Sequence, residues 1–269
     1  MTAWTGTTRT DASTTVTADQ LVAMLEALYN HNDASRLRAL AAPDLRHYSS
    51  GIGDGVDAWA AYAEGFAGAN PLVAIHRTVA EGNRIGIHAQ YRWNVDRVLD
   101  GGPGVAVAHI FTIEAGRIVE AVEVTQAVGT EPVSGNDMFS QLRSSAGTQD
   151  PQRNREIARR VVAEFLAGNT SLRDELLSDY IQHNPFIPDG AAGIAGFVDM
   201  LGGNPNDYQW AIVEGDLAWT YTRYLSETMG TPPLVGVDIW RFDAAGKVTE
   251  HWDVLEADFT SPGGHTFPG

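Results

Sequence analysis

The chain has 269 residues, 43% hydrophobic and 19% charged, which is a globular balance long enough for one large domain or two ordinary ones. A formal net charge of −16, with Lys247 the only lysine, argues against nucleic acid and disfavours anionic membrane surfaces. No apolar run is long enough to cross a bilayer, and the absence of cysteine excludes disulfides, thiolate catalysis and thiolate-bound metals, so a cytoplasmic setting is the simplest expectation.

The chain opens on "MTAWTGTTRTDASTTVTADQ", Thr-rich and without a basic start or an apolar core, which reads as a flexible leader and not as a signal peptide. "TADQLVAMLEALYN" (17–30) follows with helical spacing. "RHYSSGIGDGVDAWAAY" (46–62) holds an Asp54-Gly55 turn; its glycines faintly resemble a phosphate loop, but no repeated strand–helix–strand pattern surrounds them. "VAEGNRIGIHAQYR" (79–92) and "VAHIFTIEAGRIVEAVEVTQA" (107–127) are strand-like runs around turns. A small polar joint, "RSSAGTQDPQ" (143–152), then has linker composition.

Beyond the joint the same order returns. "NREIARRVVAEFLAGN" is helical, with Ile157, Val161, Val162, Phe165 and Leu166 on one face, and "SLRDELL" is a second short helix. "IQHNPFIPDGAAGIAGF" (181–197) aligns with 46–62, so Asp189-Gly190 is a helix-entry turn shared with Asp54-Gly55, and a third helix is expected around 192–201. "IVEGDLAWTYTRYL" (212–225) aligns with 79–92, and "GVDIWRFDAAGKVTEHWDVLEA" (236–257) aligns with 107–127 with one residue inserted. Three matches in one order predict two copies of one domain, 16–143 and 152–260. Strands are expected at about 207–214, 217–227, 234–243 and 247–257. Helices packed on one face of a curved antiparallel sheet would make each copy an α+β cone around an apolar cavity.

Strand parity selects the chemistry. His251 and Asp253 point to one face while Trp252 points to the other, and Asp238, Trp240 and Phe242 share a face of the preceding strand. The hairpin through "DAAGK" lets Asp238 and Asp253 oppose each other, and desolvation with like charge would push their pKa values apart. Asp253, Asp238 and His251 are therefore the catalytic candidates of the second copy. The first copy carries His109 where the second has Asp238, and Glu123 where it has Asp253. Candidates for lining the pockets are His183, Asn184, Tyr221 and Trp240 in the second copy and Tyr48 and His88 in the first, with His88 aligned on Tyr221. His31 and His265 read as loop or tail residues, and His47 and His76 carry no signal. A two-His-one-carboxylate metal site from His183, His251 and one Asp is weighed and set aside, so neither metal nor cofactor is expected.

"YIQHNP…DG", "VEGDLAW" and "VDIWRFDAAGKVTEHWDV" together resemble the SnoaL-like branch of the NTF2-like superfamily, which includes polyketide cyclases. "SGNDMF" (134–139) is similar to the segment that often closes such proteins. The resemblance implies a cofactor-free acid/base enzyme of secondary metabolism, acting on a small apolar or polyketide-like substrate by removing a proton next to a carbonyl. It implies that Asp253 is the acid/base residue and that His109–Glu123 matches the His–carboxylate pair of such cyclases. Two alternatives stay open: epoxide opening by paired carboxylates, and a non-catalytic ligand-binding or partner protein. The resemblance to NTF2-like domains also implies that the two copies pair through their sheets as an internal pseudo-dimer, with monomer and homodimer both compatible with it.

Overall fold

Thr17 caps a helix. Its hydroxyl accepts from Gln20 N while the Gln20 side chain accepts from Thr17 N, a capping box that opens α1 (Ala18–Asn30). Leu21, Met24, Leu25 and Leu28 recur at helical spacing and are fully buried. The computed structural model describes residues 15–69, 71–93, 104–145, 150–226 and 233–266. The expected leader lies almost wholly outside the described residues, as does 146–149 of the joint.

After α1 come α2 (Ser35–Leu40), β1 (Ala41–Tyr48), α3 (Val56–Glu64), β2 (Leu72–Glu81), β3 (Arg84–Arg92), β4 (Val105–Glu114) and β5 (Arg117–Ala127). The second half repeats the order with α4 (Pro151–Arg160), which continues as a π-helical turn over Val161–Leu166. It then runs through α5 (Arg173–Leu176), β6 (Leu177–Gln182), α6 (Gly190–Leu201), β7 (Asn206–Glu214), β8 (Leu217–Tyr224), β9 (Leu234–Phe242) and β10 (Val248–Ala257). The sheets have matching strand orders, β1-β5-β4-β3-β2 and β6-β10-β9-β8-β7.

One expectation needs correction: the sheets are mixed, not antiparallel. β1 runs parallel to β5 and β6 runs parallel to β10, while every other pair is antiparallel. Parallel neighbours need a long crossover, and here three strands and a helix separate the partners. "AAPDLRHY" and "LSDYIQ" lack the alternation that marks a strand, so these edge strands were absent from the sequence-based expectation.

The Asp-Gly turns tie each edge strand to the helix behind it. Asp54 Oδ1 accepts from His47 N at 2.9 Å, and Asp189 Oδ1 accepts from Gln182 N at 2.8 Å. Gly55 and Gly190 follow at φ +89° and +81°, a region that disfavours side chains.

Each half has its own core beneath its helices. A third cluster joins the outward faces of the two sheets: Ile110, Val122 and Val124 of one meet Val237, Ile239 and Val254 of the other, with Trp219 and Trp252 between. β5 lies against β10 and β2 against β7. Burying each of these indoles contributes roughly 5 kcal/mol in transfer terms, which makes this junction a true core. Gly86 is required for it, because a Cβ there would stand 2.7 Å from the Trp219 ring.

The chain ends of the two halves cross over. Val133 N donates to Pro185 O at 2.8 Å, Asn136 Nδ2 to Gln182 O at 2.9 Å, and Trp252 Nε1 to Ser140 O at 2.9 Å. In the other direction His265 Nε2 meets Asp54 Oδ2 at 2.7 Å. Among the described residues no helix is long and apolar enough to cross a membrane.

Candidate active site

The β9–β10 register sets Asp253 directly opposite Asp238 and His251 opposite Trp240. All four side chains point under the helices of the second half, and all are at least 96% buried. His251 Nε2 lies 3.4 Å from Asp238 Oδ1 and 4.0 Å from Asp253 Oδ2.

The surrounding hydrogen bonds decide which atoms carry protons. Gln182 Oε1 accepts from Asn184 N at 2.9 Å and Gln182 Nε2 donates to Tyr180 Oη at 3.0 Å, which fixes its amide orientation. His251 Nδ1 therefore donates to Gln182 Oε1 at 3.1 Å, and its Nε2, without a hydrogen-bond partner of its own, is the edge turned to the carboxylates. Asn184 Nδ2 donates to both Asp253 oxygens, at 2.9 and 2.8 Å. Tyr224 Oη donates to Asp238 Oδ2 at 2.7 Å, joined by Thr220 Oγ1 at 3.3 Å. Trp240 stacks on His251 with centroids 3.8 Å apart and planes 8° apart. Burial pushes the Asp253 carboxyl up to about 6; Asp238 adds to the rise, while His251 and the Asn184 amide oppose it.

These groups floor a narrow pit of about 30 Å³, room for one water, walled by Leu166, Ile194, Val198 and Tyr224. The pit shares Ile187, Phe197, Leu201 and Leu255 with a chamber of about 430 Å³, which Asn184, Phe186, Met200, Leu234 and Gln126 complete. Phe186 and Met200 are 68% and 71% exposed, so the rim of this chamber is apolar and open to solvent.

The first half holds a related set. His109 faces Glu123 across β4 and β5, with Nδ1 3.6 Å from Glu123 Oε2. Ser49 Oγ donates to Glu123 Oε1 at 3.2 Å, and Tyr91 Oη meets His109 Nε2 at 2.7 Å. Burial pushes Glu123 up to about 8 and both His109 and His47 down to about 3. The cavity here is only about 40 Å³, lined by Tyr29, Tyr62, Tyr91, Trp93 and Glu123 among others.

Several expected pocket residues lie elsewhere. Tyr48, His88 and Tyr221 sit on outward strand faces and His183 just past the end of β6, one residue out of step with those that point under the helices, and they meet the junction between the halves. His183 stacks on Trp252, donates from Nδ1 to Asp137 O at 2.5 Å, and has Nε2 3.0 Å from Glu250 Oε1. His88 Nδ1 takes a contact from Arg77 Nη1 at 2.5 Å, Tyr221 packs on Trp210, and Tyr48 packs on His265. Trp240 faces inward but supports His251 from beneath and does not line the chamber. With His183 turned away, the two-His metal set is not assembled. Among the described residues, only Asp238, His251 and Asp253 bring ligand atoms within 4.8 Å of one another, a spacing a divalent cation tolerates.

Parity alone missed Gln182, Tyr224, Ser49, Tyr91 and His47. The repeat held a signal for three pairs, since Tyr91 aligns with Tyr224, Ser49 with Asn184 and His47 with Gln182.

Residues 21–121 match the SnoaL-like domain family, a match within the first half that stops two residues short of Glu123. No curated protein is significantly similar to the chain. Among solved structures, TsrD from Streptomyces laurentii is 19% identical, with 41% of this chain and 91% of that one covered and a TM-score of 0.35. IdmH from Streptomyces antibioticus, provisionally assigned as a polyketide cyclase, is 19% identical over 40% of this chain and 91% of its own, also at 0.35. A protein with a ketosteroid isomerase-like fold from Catenulispora acidiphila is 20% identical over 40% and 85%, at 0.33.

Proposed function

We propose that the chain is a cofactor-free acid/base enzyme acting on a small, largely apolar carbonyl compound, built as two NTF2-like copies over residues 16–143 and 152–260. The second copy carries the chemistry. What supports this reading above all is Asp253, a buried carboxyl poised at about 6 beside His251 and Asp238, in a pit that shares wall residues with an apolar chamber large enough for a substrate.

Asp253 is the general base. Above about pH 6 it is ionised and stronger than an ordinary carboxylate, and it removes a proton from the carbon next to the substrate carbonyl. The C–H electron pair becomes an enolate, whose carbon closes a ring on a second carbonyl or is reprotonated at another position. Protonated Asp253 then gives that proton to the new alkoxide or to the other carbon, which restores the carboxylate, while His251, held through Nδ1 by Gln182, keeps its Nε2 edge toward Asp238 and Asp253. Asn184 orients Asp253 and stabilises its charged form.

Epoxide opening is the second reading, favoured by the directly opposed Asp238 and Asp253 and by the Tyr224 hydroxyl beside them. Supplying a poly-β-ketone and an epoxide in parallel to the wild type separates the two. Conversion of neither, at high enzyme concentration, removes the enzymatic reading and leaves ligand binding. Retention of full turnover by Asp253→Asn on whichever substrate is converted sinks the assignment of the base.

A further inference from the structure

The chamber that adjoins the Asp253 pit is not built from the second half alone. Gln126 lies near the end of β5, in the first half, on the outward face that continues Val122 and Val124, and it forms part of the chamber wall. Its Oε1 accepts from Leu255 N at 2.8 Å, and Leu255 is itself a wall residue of both pit and chamber. The exchange is reciprocal. Glu256, which aligns with Gln126, reaches the other way and accepts from Thr125 N at 3.0 Å, beside the small first-half cavity.

With its oxygen engaged by Leu255, the Gln126 amide has a fixed orientation, and its Nε2 makes no hydrogen bond to another described residue. Two N–H donors are thus held at a wall whose other members are apolar, Phe186, Phe197 and Met200 among them, around the single amide of Asn184. Asn184 already gives its N–H groups to Asp253, so Gln126 is the polar group with donors to spare.

We propose that Gln126 is a substrate-positioning residue contributed by the first half to the second: its Nε2 donates to a carbonyl or hydroxyl oxygen of the substrate. This rests on the proposed function above and names the ligand class more closely, as a neutral, mostly apolar molecule bearing an acceptor oxygen on its flank in addition to the carbonyl that reacts. It also gives the first half a role that needs no chemistry of its own.

The test is a binding measurement, which Asp253 turnover does not enter, so it can fail while the catalytic assignment stands, and the reverse. Two fluorescent probes are titrated into the full chain: the naphthyl ketone prodan, whose emission reports hydrogen bonding to its carbonyl, and dimethylaminonaphthalene, which lacks the ketone. Gln126→Glu keeps an acceptor oxygen for Leu255 N, as Glu256 does for Thr125 N, but removes the donor. It is expected to weaken prodan binding roughly three- to tenfold, the loss of one hydrogen bond, and to leave the ketone-free probe unchanged. Gln126→Ala is expected to show the same ketone-selective loss with a lowered Tm, because Leu255 N then loses its partner. The proposal is overturned if Gln126→Glu binds prodan as tightly as the wild type. Equal losses for both probes, or no saturable prodan binding by the wild type, overturn it as well.

Discussion

Residue for residue, the two halves place the same side-chain positions around the floor of each cone. Ser49, Tyr91, His109 and Glu123 occupy in the first half the places of Asn184, Tyr224, Asp238 and Asp253 in the second. Phe111 stands where Trp240 does, and Ala121 where His251 does. Yet the electrostatics diverge. At neutral pH Glu123 is held protonated and His109 and His47 are held neutral, so the first floor is uncharged. Glu256, reaching over from the second half, pushes Glu123 further toward its neutral form, whereas the reciprocal residue, Gln126, brings no charge to Asp253. One scaffold can thus hold a packed, neutral floor beneath about 40 Å³ or a charged floor beneath an open chamber, and a few substitutions choose between them.

The contrast predicts a large asymmetry in turnover. Asp253→Asn is expected to lower kcat about a thousandfold, the scale of general-base catalysis, whereas Glu123→Gln is expected to stay within about twofold. Steady-state rates on the converted substrate decide it, and a larger loss in Glu123→Gln would transfer the active site to the first half. The next effect is on stability. The Glu123 carboxyl is raised from 4.5 to about 8, so its contribution to stability is full below 4.5 and is lost as pH rises toward 8, on the order of 5 kcal/mol in all. His47 and His109, depressed from 6.5 to about 3, act in the opposite sense: their contribution is full above 6.5 and is lost as pH falls. Tm should therefore decline between pH 6.5 and 8.5, and Glu123→Gln should flatten that decline in a thermal melt series. A decline of unchanged slope would mean that Glu123 is ionised.

Smaller effects sharpen the second site. The kcat/KM profile should gain an acid limb near pH 6 from Asp253, falling tenfold per pH unit below it. Trp240→Phe keeps the cross-strand apolar contact but shrinks the surface stacked on His251 and deletes the bond from Nε1 to Thr220. It is expected to cost a few-fold in kcat, with the limb displaced. Prolonged chelation is expected to change nothing in the rate; loss of activity that a divalent cation restores would recast Asp238, His251 and Asp253 as ligands.

Much of this architecture was legible in the chain itself, because its information is local. The helix over Ala18–Asn30 follows from apolar spacing and its capping residues, and β7 to β10 from alternation and turn residues. The facing of Asp238, His251 and Asp253 follows from the period of two along a strand and one short hairpin. What the chain could not tell by itself was which strand face becomes interior. His88, His183, Tyr48 and Tyr221 read as site residues but belong to the junction, because a strand buried on both faces shows no alternation to tell cone from interface. The pKa values of Asp253 and Glu123 are likewise products of burial, and the place of Gln126 in the wall of the other half's chamber depends on sheets packed across more than a hundred residues of chain. Local pattern determined the elements and the strand pair that opposes Asp238 and Asp253; only packing between the halves decided which groups are charged, which cavity is open, and which residues face it.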